Sequence, residues 1–183
     1  MSYRYRVTLE GIKGFFRVYA VAGTNSLYTF HKQLRCDLEL PADQPILFKA
    51  FDESGAVVAR YALIDLGAGT VDEVTIEDTI RSGVRRFVYF YDISSKKSVI
   101  ITFEGESDLS VSAPVAVESK GPVPADFENG YVAFEDLPDS KRKLPGENDG
   151  DDEDDEDEDE DEDDGEAEDE DREEEELIWN EGD

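Results

Sequence analysis

The sequence predicts an α+β domain with a mixed or antiparallel sheet of about five to seven strands, one main helix and one short helix on one face, and a disordered acidic C-terminal tail. Three observations carry this expectation. β-rich runs come in closely spaced pairs that read as hairpins. One segment places apolar residues at helical spacing. The acidic side chains crowd into the last fifth of the chain.

The charge separates the two parts. Of the 48 acidic side chains, 27 lie in residues 147–183, with Arg172 the one basic residue there, so this stretch carries −26 of the total −30. Residues 1–146 hold 21 acidic and 17 basic side chains, a net −4 that is ordinary for a soluble domain. The boundaries expected are an α+β domain over residues 1–140 and a polyacidic tail over 141–183. So little apolar surface cannot offset the entropy of ordering, so the tail is expected to be disordered and extended by self-repulsion.

Along the chain, Tyr3, Tyr5, Val7 and Leu9 alternate with Arg4, Arg6 and Thr8, the period of a half-buried strand. A second run from Phe15 to Val21 follows closely enough to return as a hairpin, and Arg4, Arg6 and Arg17 are expected to share its solvent face. Gly23-Thr24-Asn25-Ser26 supplies turn and cap residues before Leu27, Phe30, His31, Leu34 and Leu38, the main helix, which ends before Pro41. Ile46–Phe51 and Val57–Leu63 flank Asp52-Glu53-Ser54-Gly55 and read as a second hairpin. Thr75 with Asp78, closed by Gly83, brackets a short helical turn. Arg86–Tyr91 and Ser98–Glu104 form the strongest hairpin, dense in β-branched and aromatic residues. From Gly105 to Pro138 the pattern loosens, but Pro114–Val117, Phe127, Tyr131, Phe134 and Leu137 are apolar enough to wrap back onto the domain. A ubiquitin-like, β-grasp-like arrangement is among those this order allows.

Several stretches resemble the plasmid pRiA-type ORF-three-like family, also encountered as passenger products of insertion elements. Similar are Tyr5-Arg6-Val7-Thr8-Leu9, Ile12-Lys13, Arg17 and Leu27 with Phe30-His31. So are Val74-Thr75-Ile76, Phe87-Val88-Tyr89-Phe90-Tyr91-Asp92, Ile101-Thr102-Phe103-Glu104 and Gly121-Pro122-Val123-Pro124-Ala125-Asp126 with Gly130-Tyr131. The resemblance spans roughly residues 3–137. It implies an α+β domain without a settled activity. After Tyr91-Asp92 the family continues with Phe-Gly-Asp, a Trp and a His, where this chain has Ile93-Ser94-Ser95-Lys96-Lys97; the His-rich stretch after the main helix and a cysteine near the Pro-Pro motif are missing too. Any metal binding or chemistry that those residues support in relatives is expected to be lost.

The chemistry-bearing residues point away from catalysis. His31 is the only histidine and Cys36 the only cysteine. They lie about 140° apart on the helix, which does not suit a thiolate–imidazole pair. A packed His31 and a buried, inert Cys36 are expected. Gly67-Ala68-Gly69 lacks the third glycine of a dinucleotide fingerprint, and the Gly165 region fails as a calcium loop because its flanks are acidic, not amphipathic. No cofactor and no metal is expected. The opening residues form no apolar signal segment and no run reaches the length of a membrane span, so a cytoplasmic protein with no membrane partner is expected.

The leading expectation is therefore a non-enzymatic interaction module whose acidic tail, including Asp151, Asp154 and Asp157, engages a basic protein or surface. Leu177-Ile178-Trp179 closes that tail as an anchor-like motif. The alternative is a nucleic-acid-associated accessory of a mobile element. There Arg4, Arg6, Arg17, Arg85, Arg86, Lys96 and Lys97 would form a basic face, and carboxylates at about 3.4 Å spacing would mimic a DNA strand or inhibit that face.

Overall fold

In a computed structural model of the chain, the residues described are 1–138, 141 and 142. Seven strands form one sheet: β1 (Ser2–Leu9), β2 (Ile12–Ala22), β3 (Leu47–Phe51), β4 (Val57–Ala62), β5 (Arg86–Asp92), β6 (Lys97–Ser107) and β7 (Val115–Lys120). Three helices, α1 (Leu27–Asp37), α2 (Ile76–Arg81) and α3 (Pro124–Glu128), and a 3-10 turn, Phe134–Asp136, complete it. The spatial order is β4-β3-β5-β6-β1-β2-β7. All six pairings are antiparallel, which decides between the two sheets the sequence allowed. The ubiquitin-like arrangement gains no support from them, since the central β1–β6 pair runs antiparallel.

Alternation along the strands sorts side chains to two faces. Tyr5 and Val7, Phe87 and Tyr89, Phe48, and Val99 and Ile101 enter one buried cluster with Leu27, Phe30 and Leu34 of α1 and Ile76 of α2. Phe30 sits 5.8 Å from the Tyr5 ring and 5.6 Å from the Tyr19 ring. Each such side chain contributes about 1.5–3 kcal/mol by burial. The helices start where the sequence caps them: the Ser26 hydroxyl accepts the Thr29 N–H, and Thr75 and Asp78 form a reciprocal capping box.

The other face is not covered in this way. Leu47, Lys49, Phe51, Val88, Phe90, Ile100 and Phe16 are only half-buried there, and Arg60, Arg86 and Thr102 are exposed. Past β6 the chain returns to the domain, as expected. Phe127 meets the Phe15 ring edge-on at 6.0 Å, and Ala133 is buried so closely against Gly14 that a side chain on Gly14 would collide with it. β7 was not legible in advance: its residues are almost all exposed, so no period of two survives in the sequence.

Candidate functional site

The seven cations expected on one face are dispersed. Arg4 and Arg6 do lie on the open face, but both are paired: Arg4 donates to Glu104 and Glu118, and Arg6 donates to Glu104. Arg17 faces the opposite way, a correction to the sequence reading. It pairs across from Val7, is 9% exposed, and donates to the carbonyls of Phe16, Lys120 and Gly121 at 2.7–2.9 Å. Its role is structural: it ties β2 to the end of β7. Arg85 stacks over Phe103 with its guanidinium carbon 5.4 Å from the ring centroid, and Lys97 pairs with Glu128 at 2.7 Å. Lys96 occupies a left-handed position (φ 57°) in the β5–β6 turn. Arg86 alone of the seven is both exposed on the open face and without an ion pair among the described residues. Lys49 and Arg60, which the sequence reading passed over, join it there.

The two residues set aside as non-catalytic fall differently. His31 is buried, and its Nδ1 and the Tyr89 hydroxyl share a hydrogen bond of 2.7 Å. Burial, with Arg35 and Lys32 nearby, lowers its pKa from 6.5 to about 4, so the ring is neutral at pH 7. Cys36 is exposed, not buried as expected, because it sits on the side of α1 away from Phe30 and Leu34. Among the described residues no group of His, Cys, Asp and Glu could hold a metal ion, and no helix is long and apolar enough to cross a membrane. Asp151, Asp154, Asp157, Leu177, Ile178 and Trp179, and with them the expected tail disorder and the calcium-loop reading, lie outside the described residues.

What the fold does assemble is apolar. At the β4 end of the sheet an open groove of about 300 Å³ is lined by Pro45, Ile46, Leu47, Ala62, Leu63, Ile64, Leu66 and Ile93. Leu63 is 59% and Ile64 69% exposed. A loop would normally bend such residues inward or avoid them, but Asp65 fixes this one. Its carboxylate accepts the N–H groups of Gly67 (2.7 Å) and Gly69 (2.9 Å), both at positive φ, which also holds its pKa below the usual carboxylate range. The loop thus presents Ile64 and Leu66 on either side of an ionised carboxylate. Asp43 and Asp92 stand beside the lining residues in the chain, and neither Asp43 nor Asp65 pairs with a cation among the described residues. The signal for this groove was present in the run Ala62-Leu63-Ile64-Asp65-Leu66, too apolar for an ordinary surface connection.

β4 itself is an edge of the sheet. Val57 and Val58 are 40% and 43% exposed. A second hollow, near the β3–β4 turn, mixes Arg85 and Arg86 with Asp52 and Glu53, so it offers no single sign of charge.

No family model matches the chain, and no curated protein matches it. The fold is similar to the crystal structure of a protein of unknown function from Methanosarcina mazei Go1, with a TM-score of 0.54 at 15% identity over 67% of this chain and 70% of that one. At that identity the likeness concerns the fold alone.

Proposed function

We propose that this chain is a non-enzymatic interaction module for basic protein partners. In this reading the acidic arm attracts such a partner over distance and the folded domain holds it at the groove beside β4. The observation that carries the reading is a groove with an open apolar lining, with Asp65 between its lining residues Ile64 and Leu66, on a chain of net charge −30. A single cysteine suits a reducing, cytoplasmic setting. The likeness to the pRiA-type family, which has no settled activity, is compatible with it.

Full-length protein is compared with a variant in which the carboxylates of residues 151–164 are replaced by their amides, titrating each with a lysine-rich peptide at low and moderate salt. The amide variant is expected to bind more weakly and with a shallower salt dependence. Equal affinity and equal salt dependence would remove the arm from the function.

A second reading has its own support. Lys49, Arg60 and Arg86 form no ion pair among the described residues, and they stand on the open face of β3, β4 and β5 with the half-buried rings of Phe51 and Phe90. The Arg86 guanidinium carbon lies 5.1 Å from the Phe51 centroid. Aromatic rings beside cations suit single-stranded nucleic acid, as the mobile-element alternative requires. Salt-sensitive oligonucleotide binding that Lys49→Ala with Arg86→Ala abolishes would favour it.

A further inference from the structure

We infer that the groove at the β4 end of the sheet binds a single-chain anionic amphiphile, a medium-chain alkyl carboxylate, with its chain along the aliphatic lining and its carboxylate on Arg60 and Lys49. A small molecule, which neither reading above considers, thus becomes the groove's first occupant, one that a basic partner would have to displace.

The lining selects the chain. Every lining residue is proline, alanine, leucine or isoleucine, so the groove offers no side-chain hydrogen-bond group and no aromatic ring. Its volume of about 300 Å³ lies at the small end of ligand sites. A sugar or a nucleobase would give up hydrogen bonds to water there without replacement, whereas an alkyl chain gives up none. The backbone does not change this: the Ala62 carbonyl is taken by the N–H of buried Val71 at 2.9 Å, so the returning loop closes β4 on that side.

The register places the head group. Leu47 pairs with Ala62 and with Phe90, and one step along the same face Lys49 pairs with Arg60. Two residues of strand span about 7 Å, within reach of both long side chains. Like charges directly opposite each other destabilise a sheet, and neither Lys49 nor Arg60 has an ion pair among the described residues. Elsewhere on this face the fold supplies the anion, since Arg4 and Arg6 meet Glu104 and Glu118. β3 and β4 contain no carboxylate that could do the same. The Lys49 ammonium rests 5.4 Å from the Phe51 ring centroid, so exposed Arg60, whose planar fork suits a carboxylate, makes the first contact and Lys49 turns to make the second.

The other nearby charges orient the ligand. Asp43, Asp65 and Asp92 come after the Leu47–Ala62 row on the side away from Lys49 and Arg60, together with Lys96 and with Arg35, which is tied to the Ala42 and Gln44 carbonyls. At the opposite end, past Phe51, the β3–β4 turn carries Asp52 and Glu53, and the Asp52 carboxylate is used by Ser54 and Ala56. A carboxylate among the three aspartates would be repelled, whereas between Lys49 and Arg60 it relieves a like-charge pair.

Calorimetric titration of full-length protein with decanoate, hexanoate and decan-1-ol, each kept monomeric, reads both halves of the site. Each buried methylene adds up to about fourfold in affinity, so decanoate is expected to bind more than about tenfold more tightly than hexanoate. It is also expected to bind about tenfold more tightly than the alcohol. Ile64→Ser, at an exposed lining residue, should weaken decanoate and the alcohol alike. Lys49→Ala with Arg60→Ala should remove the preference for the carboxylate and leave the alcohol unchanged, a result that loss of folding would not give.

No binding of decanoate, equal binding of decanoate and the alcohol to unmodified protein, or a preference that survives the double variant would each overturn the inference. Binding to phosphatidylglycerol vesicles without binding of monomeric decanoate would give the face to a membrane surface and overturn it as well. The lysine-rich peptide titration is independent of these outcomes, so the basic-partner reading stands or falls on its own.

Discussion

The two edges of the sheet are built on opposite terms. β7 is closed by charge. Glu118 pairs with Arg4, Lys120 pairs with Glu135, and buried Arg17 takes the carbonyls of Lys120 and Gly121. A bulge between Val18 and Tyr19 also breaks its register with β2. β4 shares the bulge, since its register with β3 shifts between Ala50 and Phe51, but its one charged residue, Arg60, is in no ion pair among the described residues, and apolar residues continue beyond the strand. Charged side chains and bulges are how sheets prevent unwanted pairing at an edge. The two edges thus differ in ion pairing: charged pairs close β7, whereas β4 is covered at its Ala62 end by the Val71 N–H and carries no ion pair among the described residues.

The largest effect that separates the two edges should come from Gly121. It has φ +76° just past β7, and a β-carbon there would land on the Gly14 carbonyl oxygen. Gly121→Ala is expected to cost at least about 3 kcal/mol through backbone strain and displacement of the Arg17 anchor. Urea unfolding would read the cost. Hydrogen exchange should show protection lost in the β2–β7 pair while β3–β4 keeps its own; uniform loss across the sheet would argue against independent closure of the β7 edge.

Acid should act on the other half. His31 is bonded to Tyr89 on β5, and its pKa of about 4 lies below the ordinary 6.5. The unfolded chain therefore takes up a proton at a pH where the folded one does not. The associated stability is complete above about pH 6.5 and is lost as pH falls through about 4, by on the order of 2–3 kcal/mol. Exchange should quicken first around β5 and β3. His31→Gln should flatten the dependence, and an unchanged slope would remove the histidine as its source.

The strands that face the helices were legible because each alternates a buried with an exposed side chain, as Tyr5 and Val7 do with Arg4 and Arg6. Arg17 shows where such reading stops. Its neighbours in β2 are apolar on both faces, so alternation gives it no side. Counted straight back from the Leu9–Ile12 pair at the turn, Arg17 would oppose Arg4 and share its face. The register shift between Thr8 and Leu9 instead brings it opposite Val7, and a shift by an odd number of residues sends a side chain through to the other face. The groove escaped notice for a related reason. Leu63 and Ile64 continue the composition of β4, and the loop that exposes them is held by bonds from Gly67 and Gly69 to Asp65 and from Val71 to Ala62, none of which the sequence pattern displays.

The smallest effect on stability should be the most telling about the edges. Glu118 and Lys120 are exposed, and exposed ion pairs add little to folding. Glu118→Val combined with Lys120→Val should therefore leave the unfolding midpoint nearly unchanged, while giving β7 an apolar edge without ion pairs, as β4 has. Self-association in sedimentation should rise with protein concentration. Adding Arg60→Pro, which blocks only β4, should not reverse it. If the double variant stays as monodisperse as the unmodified chain, charge is not what closes β7, and the contrast must rest on the Arg17 anchor instead.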